Sequence, residues 1–158
     1  MKVINTNELI LTERNVHGSG FNSIRPLLES DNMGFSVHKT IIPKGDVLHW
    51  HYKNHLEACY CIKGIGELVE LCTGKKYKIL PDVIYALDKN DDHTFQAIED
   101  VVLISIFNPP VTGSEVHDEA GSYLPSEKIK TNAMHVLSEI LKCTNEYDML
   151  EIIKNIIK

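Results

Sequence analysis

Residues 45–64 have the sequence GDVLHWHYKNHLEACYCIKG, which is the most informative segment of the chain. It holds three histidines within seven residues, followed by Glu57. If the chain were extended throughout, the odd-numbered polar residues would share one face, so imidazole and carboxylate groups would meet inside a barrel. A turn at Lys53 and Asn54 would break that alternation. In either case we expect His55 and Glu57 to stay together.

Residues 35–108, on both sides of this stretch, have the pattern of an all-β domain. Short apolar or alternating runs are separated by turn residues such as Pro43 and Gly45. No helical pattern lies between the runs, so a small β-barrel or jelly roll is favoured over βαβ units. Cys59 and Cys61 are predicted to be small buried side chains on one face. The predicted strands are residues 35–42, 58–62, 66–71, 76–79, 83–87, 94–98 and 101–107.

The end of the chain has a different pattern. Between Ser126 and Lys158, apolar residues such as Met134, Leu137 and Leu141 recur at steps of three and four, which is typical of amphipathic helices. We therefore predict a barrel domain over residues 1–125 and an added C-terminal helical extension over residues 126–158. No cluster of possible ligands lies in the extension, so its predicted role is packing or oligomerisation.

Composition narrows the possible partners. The chain has 158 residues, of which 43% are hydrophobic, enough for the core of an ordinary globular domain. It has 16 basic and 22 acidic residues and a formal charge of −6. Binding to nucleic acid needs a concentrated basic surface, so we expect no nucleic acid or membrane partner. The first residues contain no apolar signal segment, and we predict a cytoplasmic location.

A second polar cluster spans residues 85–93. If residues 88–92 form a hairpin loop centred on Lys89, Tyr85 and His93 face each other on antiparallel strands. Directly opposed residues have their side chains on the same face of a sheet. The spacing therefore predicts that Tyr85 and His93 are neighbours.

Together the two clusters indicate a metal site. Histidine and carboxylate from one hairpin, with histidine from another, form open sites for Fe(II), Mn(II) or Zn(II). The alternative is a chance clustering of surface histidines near turns. The residues alone favour Glu57 and His93 as ligands and leave His51 and His55 as further candidates.

The spacing resembles the first cupin motif, G-x5-H-x-H-x3,4-E-x6-G. Four positions fall in register: Gly45, His51, Glu57 and Gly64. Lys53 takes the place of the second histidine. In the second motif, Val83 replaces the usual glycine and Ala86 the expected histidine. An ordinary cupin site would have lost two ligands here, so the site is either inactive or rebuilt.

Four longer runs resemble the ectoine synthases, one family of cupins. They are MGFSVHKT (33–40), HYKNHLE (51–57), YALD (85–88) and NPPVTGSEVHDE (108–119). The resemblance as a whole extends over residues 1–123. The resemblance implies a carbon–oxygen hydro-lyase that acts as a homodimer. Its reaction closes a small-molecule substrate, N-γ-acetyl-L-2,4-diaminobutyrate, to the compatible solute ectoine with loss of water.

The resemblance also implies an Fe(II) cofactor held by Glu57, Tyr85 and His93. A Lewis-acid metal suits this reaction, because an amide carbonyl is a poor electrophile and its oxygen must leave. Arg25 is expected to hold the substrate carboxylate through paired hydrogen bonds. The α-ammonium must lose a proton before it attacks, and the predicted acid/base candidates are Glu115 and His117.

The remaining expected residues form the wall of the site. The motif positions that contact substrate in the family are Phe21, Thr40, Tyr52 and Phe107. The family usually has Trp at the position of Phe21, and plain core packing is an equal alternative for Phe107. Tyr52 and His55 are expected either to act in catalysis or to orient the metal-binding glutamate.

Two other functions fit the same residues. One is a related cyclase or hydrolase that acts on a similar N-acetylated amino acid. The other is a ligand-binding cupin that senses a small carboxylate without turnover.

Overall fold

Two antiparallel sheets form the protein in the computed structural model, which describes residues 1–115, 117 and 121–123. Short 3-10 helices lie at Thr6–Leu9 and Glu29–Asp31. The strands are β1 (Asn15–Gly18), β2 (Phe21–Leu27), β3 (Ser36–Ile42), β4 (Val47–Trp50), β5 (Leu56–Lys63), β6 (Gly66–Glu70), β7 (Lys75–Ile79), β8 (Ile84–Leu87), β9 (His93–Ala97) and β10 (Val101–Asn108). One sheet has the order β1-β2-β3-β10-β5-β8, and the other has the order β4-β9-β6-β7.

The core lies between the inner faces of the two sheets. Burial alternates along β3, where Ser36, His38, Thr40 and Ile42 are all buried. The larger sheet adds Leu103 and the smaller adds Phe95, and both side chains have no exposed surface. Burial of one such side chain stabilises a fold by about 1.5–3 kcal/mol. The inner face of the six-stranded sheet therefore combines an apolar core with buried polar groups.

The turn between β5 and β6 explains one glycine of the cupin motif. Gly64 has a φ of 88°, and an added Cβ would lie 2.1 Å from the backbone oxygen of Asp100. L-residues with side chains rarely adopt this backbone conformation. Glycine is therefore the residue that lets the chain pass closely under Asp100.

The all-β prediction is confirmed, and each of the seven predicted strands is present. The sequence did not predict β1, β2 or β4. Arg25 and Pro26 interrupt the apolar pattern of β2, and β4 is only four residues long. No helix in the described part of the chain is long and apolar enough to cross a membrane. The predicted helical extension, residues 126–158, lies outside the described residues.

The predicted hairpin over residues 85–93 is wrong. β8 pairs with β5, so that Tyr85 lies opposite Cys59, whereas β9 belongs to the other sheet. The intervening loop crosses between the sheets and does not close a hairpin. Asn90, with a φ of 54°, donates from its amide to two backbone carbonyls in the turn before β5. This anchors the loop to that turn and places His93 in the smaller sheet.

The turn at Lys53 and Asn54 is present and reverses the alternation. In β4 the even residues point inward, so Trp50 is buried and His49 is exposed. In β5 the odd residues are buried, including Cys59 and Cys61 as predicted. His55 and Glu57 are both buried, which confirms that the turn leaves this pair on the inside.

Candidate active site

Glu57 on β5 is a buried carboxyl. Its side chain accepts a hydrogen bond from the Cys59 thiol at 3.1 Å. Burial raises the pKa of Glu57 from 4.5 to about 7, and hydrogen bonds from Cys59 and Ser105 offset part of that rise. In the part of the chain that the structure describes, no cationic side chain forms an ion pair with it. A buried carboxyl in this state is suited to a metal ion.

The raised pKa of Glu57 predicts an unusual pH dependence for the metal-free protein. Below pH 4.5 the carboxyl is protonated in both states. As pH rises towards about 7, the unfolded chain loses its proton first, so the free energy of unfolding falls by about 3 kcal/mol. Urea denaturation of metal-free parent and Glu57→Gln proteins between pH 5 and pH 8 measures this contribution as the difference between them. Equal pH slopes in the two proteins would contradict it.

Tyr85 on β8 lies beside the same thiol. It is directly opposite Cys59 across the β5–β8 pair, so the two side chains lie on the same face of the sheet. Its ring stacks near Phe95 with 6.4 Å between ring centroids. Burial, with Cys59 and Glu57 nearby, raises the pKa of Tyr85 well above 10. Glu57 and Tyr85, from neighbouring strands, are therefore both neighbours of Cys59.

His93 at the start of β9 presents a bare ring nitrogen. Nδ1 donates to the backbone oxygen of Asp91 at 2.9 Å. Burial lowers the pKa of His93, so the ring is neutral at pH 7 and Nε2 carries a lone pair. Among the described residues Nε2 is buried and has no partner, and the ring packs near Trp50 with 6.3 Å between centroids. This is the protonation state in which histidine binds a metal.

The three predicted ligands fit Fe(II) by their chemistry. They offer one neutral imidazole nitrogen, one carboxyl and one phenol oxygen, a nitrogen and oxygen set that suits this ion. Among the described residues no three His, Cys, Asp or Glu side chains are placed to hold a metal together. The predicted set contains only two residues of those types, because its third member is Tyr85.

The other candidate histidines have different surroundings. His51 lies 3.7 Å from a carboxylate oxygen of Asp92, near the surface. His55 is buried, and within the described residues neither of its ring nitrogens has a partner. Burial lowers the pKa of His55. Asn90 binds the backbone oxygens of both Tyr52 and His55, so the turn that carries these two residues is held from the opposite loop.

Tyr52 and His117 form a hydrogen-bonded pair. The Tyr52 hydroxyl lies 2.9 Å from Nε2 of His117. Burial raises the pKa of Tyr52 well above 10, so the phenol stays protonated. Aromatic rings surround the His117 imidazole. The distance from its centroid is 5.4 Å to the ring of Phe21, 6.2 Å to that of Trp50 and 4.5 Å to that of Tyr123. The pair can hold a proton in an environment with little water.

A backbone approach fixes the segment behind this pair. Gly121 has a φ of 73°, and an added Cβ would lie 2.5 Å from the backbone oxygen of His49. The Gly121 backbone oxygen accepts from the His51 amide, and Ser122 accepts from the Lys53 amide. These contacts dock residues 121–123 on the turn between β4 and β5.

Glu115 and Arg25 stabilise one loop from two sides. The Glu115 carboxylate accepts from the Thr112 amide at 2.6 Å, the Thr112 hydroxyl at 2.8 Å and the Gly113 amide at 2.8 Å. Arg25 is 1% exposed and donates to the backbone oxygens of Gly113 and Glu115 and to the Tyr123 hydroxyl. Among the described residues its Nε has no partner. Arg25, which is predicted to bind the substrate carboxylate, therefore also has a structural role.

Two spaces of very different size lie in this region. A pocket of about 480 Å³ is lined by Phe21, Arg25, Trp50, Glu115 and His117, among others. That volume is within the usual range for small-molecule sites. A second space of about 10 Å³, enough for one water, is lined by the remaining wall residues. They include Thr40, Tyr52, Glu57 and Phe107.

The structure adds residues that the sequence did not single out as functional. Trp50 lines both spaces, and Tyr123 contacts Arg25 and His117. His38 is 1% exposed, and burial, with the positive charge of Arg25, holds its pKa well below 6.5. His38 and Thr40 are two residues apart on β3 and therefore share a face, so the sequence could have indicated that His38 belongs to the same wall. The contact between Cys59 and Glu57 could also be expected, because residues two apart on a strand share a face.

The fold of the chain is similar to that of cupin domains. The cupin domain of Cnp3 from Schizosaccharomyces pombe superimposes with a TM-score of 0.51 at 12% identity, over 60% of this chain and 67% of that one. At this identity the similarity concerns the fold alone. The two-sheet barrel with a polar interior is thus a cupin barrel.

Closer relatives identify the family. The family model for ectoine synthase matches residues 1–127. The L-ectoine synthase of Alkalilimnicola ehrlichii is 51% identical over 124 residues, which cover 78% of this chain and 94% of that protein. The crystal structure of the ectoine synthase from P. lautus gives a TM-score of 0.72 at 42% identity, over 78% of this chain and 90% of that one. The chain belongs to the ectoine synthase family, which confirms the predicted family, its function and its enzyme class, a lyase.

Proposed function

We propose that the chain closes N-γ-acetyl-L-2,4-diaminobutyrate to ectoine with loss of water, and that Fe(II) is held by Glu57, Tyr85 and His93. The observation that carries the proposal is the buried Glu57 carboxyl, which has no cationic partner among the described residues. The bare Nε2 of His93 supports it from the other sheet. When bound, Fe(II) supplies Lewis-acid polarisation of the substrate's amide carbonyl.

The residues of the chain supply proton transfer and positioning. The oxygens of Glu115 accept three hydrogen bonds from its own loop, so we assign positioning of that loop to Glu115. His117, hydrogen-bonded to Tyr52, is then the group that accepts the proton of the α-ammonium. The surrounding aromatic rings exclude water and favour condensation over its reverse.

An NMR assay tests this function. The purified full-length chain, loaded anaerobically with Fe(II), is incubated with the acetylated diaminobutyrate, and the same protein treated with a chelator serves as control. We expect the tetrahydropyrimidine ring signals only in the iron-loaded sample. Unchanged substrate would refute the proposal. Release of acetate would identify a related hydrolase, and tight binding without product would identify a ligand-binding cupin.

The predicted homodimer and cytoplasmic location stay proposals, and one surface supports the dimer. The outer face of the six-stranded sheet exposes apolar side chains on three adjacent strands. Tyr60 on β5 is opposite Ile84 on β8, and Ile106 on β10 is opposite Ala58 on β5. Ile84 is 65% exposed and Ile106 is 40% exposed. A contiguous apolar face of this kind is typical of a protein interface.

Charge on this face is expected to separate the dimer. In the double variant Ile84→Lys/Ile106→Lys, each chain would have to desolvate two ammonium groups on dimerisation, so we expect dimerisation to weaken at least about tenfold. Light scattering after size exclusion measures the mass of the particle, which is compared with 17.9 kDa for one chain. Ile98→Lys, at an exposed position after β9, is the matched control. A monomeric parent, or a double variant as dimeric as the control, would contradict this interface.

A further inference from the structure

A row of polar side chains crosses the inner face of the six-stranded sheet. Tyr85 on β8 is directly opposite Cys59 on β5, and Cys59 is directly opposite Ser105 on β10. Ser105 is in turn opposite His38 on β3. Directly opposed residues share a face and interact. The strand register therefore places Cys59 in the middle of the row, between Tyr85 and Ser105.

Cys59 contacts one oxygen donor of the proposed metal site and lies opposite the residue that supplies the other. Its thiol donates to Oε1 of Glu57 at 3.1 Å and lies 3.1 Å from the hydroxyl of Ser105. Tyr85 is the cross-strand neighbour of Cys59 on the same face of the sheet. Cys59 is 1% exposed, so water does not compete for these contacts. Glu57 is the next inward-pointing residue on the same strand, which fixes this geometry through the backbone.

We propose that Cys59 is a positioning residue, whose thiol holds the Glu57 carboxylate beside Tyr85 so that the pair can bind Fe(II), and that its sulfur is not a ligand. This inference rests on the proposed metal site. A glutamate side chain has three rotatable bonds, and a hydrogen bond to one oxygen fixes its rotamer while the other oxygen remains available. Partners of this kind typically change metal affinity by about 10–100-fold.

The chain offers a matched control two residues away. Cys61 lies on the same strand and the same face and has no exposed surface. Its thiol is directed to the backbone oxygen of Lys63 at 3.5 Å. Cys61→Ala removes the same atoms from the same sheet as Cys59→Ala, without touching Glu57. A general packing effect would appear in both variants.

Anaerobic titration with Co(II), a spectroscopic substitute for Fe(II), tests the inference. The proteins are the parent, Glu57→Ala, Cys59→Ala, Cys59→Val, Cys59→Ser and Cys61→Ala. We expect Cys59→Ala and Cys59→Val to weaken Co(II) binding at least about tenfold, and Cys59→Ser, which keeps a small donor, to stay within about threefold of the parent. Cys61→Ala is expected to bind as the parent does. The parent spectrum is expected to lack an intense thiolate-to-Co(II) charge-transfer band.

Each contrary result has a separate meaning. Unchanged affinity in Cys59→Ala and Cys59→Val would overturn the positioning role. A thiolate band that disappears in Cys59→Ser would show that the sulfur is itself a ligand, which also overturns it. Equal losses of Co(II) affinity in Cys59→Ala and Cys61→Ala would show a general packing effect and would also overturn the positioning role. Unchanged binding in Glu57→Ala would instead remove the proposed metal site, and this inference with it.

Discussion

Turnover by Glu57→Ala, assayed at saturating Fe(II), is expected to fall by about 10³-fold or more. Every 1.36 kcal/mol of lost transition-state stabilisation costs a factor of ten, and a Lewis-acid metal contributes several kcal/mol. Glu57 is the carboxyl that faces the buried space with Thr40 and Phe107, and no described acidic side chain shares that space with it. Rates of ring formation followed by NMR give the measurement.

Two companion variants make the Glu57 result specific. Glu67→Ala removes a partly exposed carboxylate that pairs only with Lys76 in the described ion pairs, and we expect it to retain parent activity. Glu57→Gln keeps the shape of the side chain and removes its charge, so it is expected to be inactive while remaining folded. Activity near that of the parent in Glu57→Gln would mean that the buried charge has no part in the reaction.

Glu115→Ala is expected to lower turnover by about 100-fold and the free energy of unfolding by about 2–3 kcal/mol. The substitution leaves the amides of Thr112 and Gly113 and the Thr112 hydroxyl without their acceptor. Hydrogen bonds to a charged group are worth about 1.5–3 kcal/mol. The loop also carries the backbone oxygens that Arg25 binds, and it leads to His117. Urea denaturation and kcat measure the two effects.

The pH profile of Glu115→Ala separates a positioning role from proton transfer. If Glu115 only holds the loop, kcat falls by the same factor at every pH. If it were the catalytic base, one limb of the pH–rate profile would be lost. Ser114→Ala removes a neighbouring exposed hydroxyl that lies 2.9 Å from the Thr112 hydroxyl. We expect this control to change stability by less than about 0.5 kcal/mol.

Much of the fold could be predicted because alternation of burial is a local property. The seven predicted strands are those with clear apolar periodicity, such as β3 and β10. β2 was not predicted because it buries Arg25 and contains Pro26. Arg25 can be buried because it donates to the backbone oxygen of Gly113, which is far away in the sequence. β4 was missed because it has only four residues, and its exposed Val47 weakens the alternation marked by the inward Leu48 and Trp50.

The site could be located from sequence, but its assembly could not. The histidine-rich stretch pointed to Glu57, and the family resemblance supplied Tyr85. Local spacing cannot distinguish a hairpin from a crossing between sheets, because both need two strands and a short loop. The amide of Asn90, bound to the turn before β5, decides that question through contacts more than 30 residues away in sequence. Tyr85 and His93 consequently lie in different sheets.

The iron content per chain shows whether Glu57, Tyr85 and His93 hold the metal. The parent, Glu57→Ala, Tyr85→Phe and His93→Ala proteins are loaded anaerobically with Fe(II), desalted and analysed by mass spectrometry of the metal. We expect about one iron per parent chain and a large loss in each variant, because three protein ligands leave little redundancy. Iron retained at the parent level in all three folded variants would contradict the assigned ligands.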